Sequence, residues 1–401
     1  MFQYVSMETF YLVGGNCERR KLDVQTIYNY LVQNGLKETC DASKADIILV
    51  YTCGAFNSSE NRSIRTVKKL QKENNNAKII VSGCLVKINP PIVRKLKNVV
   101  VLPQLELSKL DKIIDAKIKF NDVKDANIIE FDKSLVGNNI FKRAIKKYSL
   151  NWNNSVKNIN YVNRNSEKQR NYVADKSKRF SIMISRGCYG NCSYCAIKKA
   201  HGNLKSKPIN EVMKEFKFGL DKKNERFILL GEDIGCYGMD IGFSIIDLLK
   251  KIFATKQKFK IILMDFNAGW VIKYQKELIK LLKKNHKRIE GFMIPIQSGS
   301  DRILRKMRRP YKIDDVKKCL KEFRKEIPDL KIATHAMVGF PGETNKDFQE
   351  THNLIKSFKF DFVNVFQYQN RINTESYKMK SQISKRVIKK RALDLLELIY
   401  S

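Results

Sequence analysis

A chain of 401 residues exceeds one ordinary core and implies two or three domains, and its 43% hydrophobic content is ample for globular packing. It holds no apolar run of about 18 residues and no charged segment leading into an apolar one at Met1–Val5, so neither a membrane span nor a secretory signal is expected. The formal net charge of +36 points either to a polyanionic partner or to the Lys-, Asn- and Ile-rich codon usage of an AT-rich genome. Nine cysteines, an odd count without an export signal, favour a reducing cytoplasm and metal ligation over disulfides.

The N-terminal part alternates strand-like and helix-like runs. Thr9–Val13 reads as a strand closed by Gly14 and Gly15, and Leu22–Asn34 as an amphipathic helix. Asp46–Tyr51 is a continuous apolar run typical of a buried parallel strand. Ser58–Asn74 predicts a second helix, and Ala77–Ser82 and Val99–Leu102 two more strands. The alternation implies a doubly wound α/β domain, in which ligands sit at the carboxyl ends of strands. Cys17, Cys53 and Cys84 each follow one of the first three strands, and three such thiolates can converge, although loop cysteines also fall there by chance. Cys40, Cys236 and Cys319 show no such placement.

From about 121 to 178 the pattern weakens into a basic, Asn/Lys-rich linker. Tyr148, Trp152, Tyr161 and Tyr172 are interspersed there, a composition fit either for single-stranded RNA or for a solvated loop. The rhythm returns at Arg179. Candidate strands are Phe180–Ile184, Arg226–Leu230, Lys260–Asp265, Phe292–Ile296, Lys331–Val338 and Phe360–Gln367, with helices at Ile209–Lys222, Phe243–Ala254, Val271–Lys284, Ile313–Glu326 and Asn345–Lys359. Six βα repeats predict a partial (β/α)6 barrel, closed off by a terminal helix over Ser384–Tyr400. The expected domains are therefore 1–120, a linker 121–178, and 179–401.

The first βα loop of that barrel carries Cys188, Cys192 and Cys195 at C-x3-C-x2-C spacing. Three thiolates hold three corners of a [4Fe–4S] cube and leave one iron open. The bland alternatives are a zinc knuckle, a disulfide pair or buried cysteines, and His201 is the nearest further ligand type. The spacing resembles the signature of the radical S-adenosylmethionine (SAM) enzymes. That resemblance implies that the open iron chelates SAM and that an electron from the cluster releases a 5′-deoxyadenosyl radical.

With both triplets considered, the chain resembles the radical SAM methylthiotransferases over nearly its whole length. The match rests on Gly15-Asn16-Cys17 with Asp23, on Thr52-Cys53 with Glu60 and Arg62, on Ser82-Gly83-Cys84, and on Gly202 and Pro208 after the second triplet. It continues through Gly231–Gly242, Pro295–Asp301, Met307-Arg308-Arg309 and Val338–Thr344, whose glycines suit backbone crowding against a ligand. The resemblance implies two [4Fe–4S] clusters: an auxiliary one on Cys17, Cys53 and Cys84, and the SAM-binding one on Cys188, Cys192 and Cys195. Tyr194, Glu232, Gln297 and Ser298 are candidate cofactor contacts, with Gln297 and Ser298 offering neutral hydrogen-bonding groups for SAM. Asp233 and Arg308 are candidate substrate contacts. A flavodoxin or ferredoxin is the expected electron donor.

The Glu232–Gly242 run looks most like the branch acting on N6-threonylcarbamoyladenosine beside the tRNA anticodon. The leading expectation is thus exchange of C2–H for C2–SCH3 on that base, one SAM methylating sulfur at the auxiliary cluster and a second supplying the radical. Four positions depart from the pattern: Arg20 where asparagine is usual, His201 where arginine is usual, Thr334-His335 in place of Thr-Asp, and Arg371–Thr374 in place of Pro-Gly. Family members also continue into a small RNA-binding β-barrel, and this sequence stops at Ser401, about where that barrel begins. Alternatives follow: methylthiolation of a protein or ribosomally made peptide, or a non-catalytic RNA-binding paralogue. Methylthio-adenosine levels in a deletion strain separate the first from the leading expectation, and SAM cleavage under strong reductant separates the second.

Overall fold

The structure is a computed structural model that describes residues 8–15, 17–128 and 179–400. Most of the basic linker, with Tyr148, Trp152, Tyr161 and Tyr172, lies outside the described residues. Those that are described fall into two compact units. One runs up to residue 128 and includes Ala196–Gly202; the other holds 179–Cys195 and Asn203 onward.

The first unit is built on five parallel strands: β1 (Thr9–Gly14), β2 (Lys37–Glu38), β3 (Ile47–Thr52), β4 (Lys78–Gly83) and β5 (Val100–Val101), in spatial order β2-β1-β3-β4-β5. Every residue of the central β3 is buried, as its uninterrupted apolar run demands when helices cover both faces. Helices α1 (Glu18–Gln33) and α2 (Asn57–Glu73) connect the strands, and two core clusters lie on opposite faces. Helix α1 starts four residues before the predicted Leu22, because Glu18–Lys21 lack an apolar face yet are good helix formers. The strand order reverses between β1 and β3, which makes their carboxyl ends the switch point where such folds bind ligands. A short helix, α3 (Leu85–Ile88), follows β4.

The second unit holds six parallel strands laid side by side in chain order: β6 (Phe180–Met183), β7 (Arg226–Leu230), β8 (Lys260–Leu263), β9 (Ile289–Gln297), β10 (Ile332–Val338) and β11 (Phe362–Gln367). This is the expected partial barrel. Its helices fall where the periodicity places them, except that Val271–Lys284 is two helices, Ala268–Lys273 and Gln275–Lys284, broken at Tyr274. The helix that follows the third cysteine of the motif, α4 (Ile197–His201), belongs to the first unit, where Ala196, Ile197 and Ala200 pack with Cys84 and Ile88.

Candidate functional site

Three cysteines follow three adjacent strands of the first unit. Cys17 caps α1 with extended backbone and spends no side-chain bond on capping. The Cys53 N–H donates to Ser63 Oγ at 3.0 Å. The Cys84 N–H donates to the Thr52 carbonyl of β3 at 3.0 Å, tying the end of β4 to its neighbour. Close approach at this edge needs Gly83, where φ is +94° and a Cβ would sit 2.3 Å from the Thr52 oxygen.

Cys84 is buried, and burial pushes its thiol up, helped by the charges of Cys53, Cys17 and Asp23 and opposed by Arg20. A thiol in that setting gives up its proton only when a cation takes the proton's place. That donor chemistry fits a metal cluster. A buried network surrounds the thiol. Its Sγ lies 3.2 Å from His201 Nε2, Arg20 bonds the His201 ring, and Asp23 pairs with Arg20 at 3.0 Å. Asp23 also accepts from Tyr51 Oη at 3.0 Å and from Gln104 Nε2 at 2.8 Å.

In the second unit, Cys188, Cys192 and Cys195 lie in the loop after β6, all half-buried. The Gly190 N–H donates to Cys188 Sγ at 3.3 Å. A Cβ at Gly190 would stand 3.5 Å from Cys188 Sγ and 4.0 Å from Cys192 Sγ, ordinary contact distances that place Gly190 beside both thiols. Ser193 anchors the loop: its N–H donates to the Met307 carbonyl at 3.1 Å, its Oγ to the Lys306 carbonyl at 2.6 Å, and its carbonyl accepts from Ser376 N–H at 2.9 Å. Burial and the Asp233 charge push the Cys188 thiol up to about 12, again a site that favours a cation over a bare thiolate. Among the described residues no three His, Cys, Asp or Glu side chains form a group that could hold a single metal ion. A cube takes one thiolate per iron, so its ligands need not meet at one point.

The remaining candidates divide by their surroundings. Gln297 ends β9 with φ of +74°, is 7% exposed, and its Oε1 has no hydrogen-bond partner. Strained backbone together with an unsatisfied buried acceptor is the mark of a residue kept for a ligand. Ser298, by contrast, is spent within the fold: its Oγ meets Thr351 Oγ1 at 3.3 Å and accepts from Ser300 N–H at 3.2 Å. Tyr194 packs edge-on against Phe340, with the Arg309 guanidinium 5.9 Å from its ring centre, and Glu232 is half-buried. Arg308 is paired with Glu375 at 2.8 Å.

Asp233 is a brace. It accepts from Gly235 N–H at 3.0 Å, Asn267 N–H at 3.2 Å and Trp270 Nε1 at 3.2 Å, and burial raises its carboxyl to about 6. Trp270 then meets Tyr189, inside the cysteine loop, at 5.9 Å between ring centres. Sequence reasoning missed Trp270, whose only signal is rarity, one of two tryptophans in the chain. It also left Arg20 and His201 as unconnected oddities.

The family model of the Radical SAM superfamily matches residues 182–355, and that of uncharacterized protein family UPF0004 matches 9–102. Residues 182–355 of the chain thus carry the pattern of a radical SAM region. A UPF0004 region precedes its radical SAM core. Over 387 residues it is 28% identical to a probable threonylcarbamoyladenosine tRNA methylthiotransferase of Pyrococcus horikoshii, covering 96% of this chain and 82% of that one. The human threonylcarbamoyladenosine tRNA methylthiotransferase is 29% identical over 388 residues, covering 96% of this chain and 61% of its own. The ribosomal protein uS12 methylthiotransferase RimO of Acetivibrio thermocellus is 27% identical over 393 residues, covering 96% and 81%. Among solved structures, the radical SAM methyltransferase TsrM of Kitasatospora setae shares the fold, with a TM-score of 0.60 at 12% identity over 92% of this chain and 77% of its own. The chain is an enzyme of the transferase class. No helix among its described residues is long and apolar enough to cross a membrane.

Proposed function

We propose that this radical SAM enzyme is a two-cluster methylthiotransferase acting on tRNA, replacing C2–H of N6-threonylcarbamoyladenosine by C2–SCH3 in a reducing cytoplasm. The observation that carries the reading is the second cysteine triplet. Cys17, Cys53 and Cys84 end three adjacent parallel strands around a switch point, in a unit separate from the radical SAM motif. A radical alone needs one triplet; a second set of thiolates suits a place for sulfur. The relatives named for tRNA, which align along 96% of the chain, support the substrate class.

In this reading, residues 1–120 hold the auxiliary cluster on Cys17, Cys53 and Cys84. Residues 179–401 hold the SAM-binding cluster on Cys188, Cys192 and Cys195, fed by a flavodoxin or ferredoxin. A reduced cluster with SAM at its open iron supplies the carbon-centred radical that an unactivated C–H requires. The chain's own residues do the rest. Ser193 fixes the cysteine loop, the Gly190 N–H bonds the Cys188 sulfur, and Asp233 with Trp270 braces the loop ends beside Tyr189. Gln297 offers its Oε1 as the free acceptor for SAM. Tyr194 and Glu232 are further candidate cofactor contacts, and Arg308, once released from Glu375, is a cation for the substrate phosphates.

The RimO relative matches at comparable identity and coverage, which keeps a ribosomal-protein substrate as the second reading. Reconstituted enzyme should carry about eight irons. A Cys17/Cys53/Cys84→Ala variant should retain about four and cleave SAM without transferring sulfur. Methylthiolation by that variant overturns the two-cluster reading. Unchanged methylthio-adenosine in tRNA from a deletion strain moves the substrate to protein.

A further inference from the structure

Arg20 and His201 stand 181 positions apart, and both meet beside Cys84 within the first unit. Each is 4% exposed. A guanidinium nitrogen of Arg20 lies 2.8 Å from His201 Nδ1 and 3.1 Å from Nε2, and Nε2 lies 3.2 Å from Cys84 Sγ. Arginine has five N–H donors and no acceptor, so the ring nitrogen it bonds must present a lone pair. Nδ1 makes the shorter contact. A ligating thiolate has no proton to donate, so a bond at Nε2 needs the proton of a neutral ring there, with Nδ1 left to accept from Arg20. Asp23 holds Arg20 in place at 3.0 Å and is itself fixed by Tyr51 and Gln104.

We infer that His201 is a positioning residue, its ring held by Arg20 and Asp23, that donates an Nε2–H hydrogen bond to the Cys84 thiolate and so raises the reduction potential of the cluster on Cys17, Cys53 and Cys84. The inference rests on the two-cluster reading above. A donor to a ligating sulfur draws electron density from the iron–sulfur bond and stabilises the electron-rich reduced cluster. Arg20 lies within reach of both ring nitrogens, and the sulfur lies beside Nε2 alone.

The test uses the full chain carrying Cys188/Cys192/Cys195→Ala, so that only the auxiliary cluster loads, with its midpoint potential read by EPR-monitored titration. Replacing His201→Leu should shift the potential negative by about tenfold in the one-electron equilibrium constant, about 59 mV. Replacing His201→Gln, which keeps an N–H donor, should restore most of the shift. An unchanged potential in His201→Leu at equal iron content, or an equal shift in His201→Gln, overturns the inference and leaves the two-cluster reading standing. Failure of the parent to bind about four irons overturns both. Should His201→Leu not load, pulsed EPR on the reduced parent with 15N-histidine decides: one coupled histidine nitrogen supports the bond, and none overturns it.

Discussion

Gly83→Ala tests whether the close approach of β3 and β4 builds the cysteine edge. Its φ of +94° disfavours any side chain, and its Cβ would stand 2.3 Å from the Thr52 oxygen and 2.7 Å from the Thr52 nitrogen. Gly35 provides the control: φ is +88°, yet nothing lies within 4 Å of a Cβ there. Gly35→Ala therefore carries only the left-handed cost, about 1–2 kcal/mol. Gly83→Ala adds forced separation of packed backbone, a further ~1–3 kcal/mol by analogy with overpacked cores. Urea unfolding of the metal-free chain, followed by far-UV circular dichroism, reads the difference. At an m-value of about 1–3 kcal/mol/M, the midpoint of Gly83→Ala should lie roughly 1 M below that of Gly35→Ala. The Thr52 oxygen also accepts the Cys84 N–H, so Gly83→Ala should further lower iron uptake toward about four per chain, whereas Gly35→Ala should not. Equal midpoints and equal iron would refute the account of this edge.

The second unit offers two more checks. Arg391 and Glu343 form a pair at 2.7 Å with 7% and 0% side-chain exposure; Arg391→Met should cost about 3–5 kcal/mol by stranding the carboxylate, and the Arg391→Met/Glu343→Met double variant should recover most of it. Asp233 and Asp347 should act oppositely in the pH dependence of metal-free stability. The Asp233 carboxyl, raised to about 6 from 3.8 by burial, corresponds to about 3 kcal/mol that is present below pH 3.8 and lost as pH rises through 6. Asp233→Asn should flatten that fall. Asp347 is held well below its usual value despite burial, by Arg302, Ser300 and Thr344, so its contribution is present above pH 3.8 and disappears on acidification. Asp347→Asn should remove that acid-side slope; urea midpoints from pH 3 to 8 check both.

Both sheets were legible because parallel strands buried on two faces read as apolar runs, as in Ile47–Thr52, and because helices between them keep a 3.6-residue period. The two-residue edge strand β2 was not, since Lys37-Glu38 has no apolar signal and pairs only because β1 lies beside it. The partner of Ser298 was hidden for a related reason: the hydroxyl sits at a strand end, and Thr351, which meets it, lies 53 residues later. Asp233 is similar, its partners Asn267 and Trp270 coming from the next strand's loop. Local patterns carry period and punctuation, whereas hydrogen-bond partners depend on contacts across the fold. Arg20 and His201 are the extreme case; each was visible as an odd residue, and neither indicated the other.

Helix α4 has a consequence for how this protein can be divided. The first unit is not a contiguous stretch of chain, because Ala196–Gly202 completes it from beyond the radical SAM cysteines. A fragment ending near residue 128 would uncover Cys84 and Ile88 and leave Arg20 without its imidazole. The first unit is thus a borrower, incomplete unless seven residues of its neighbour's sequence travel with it.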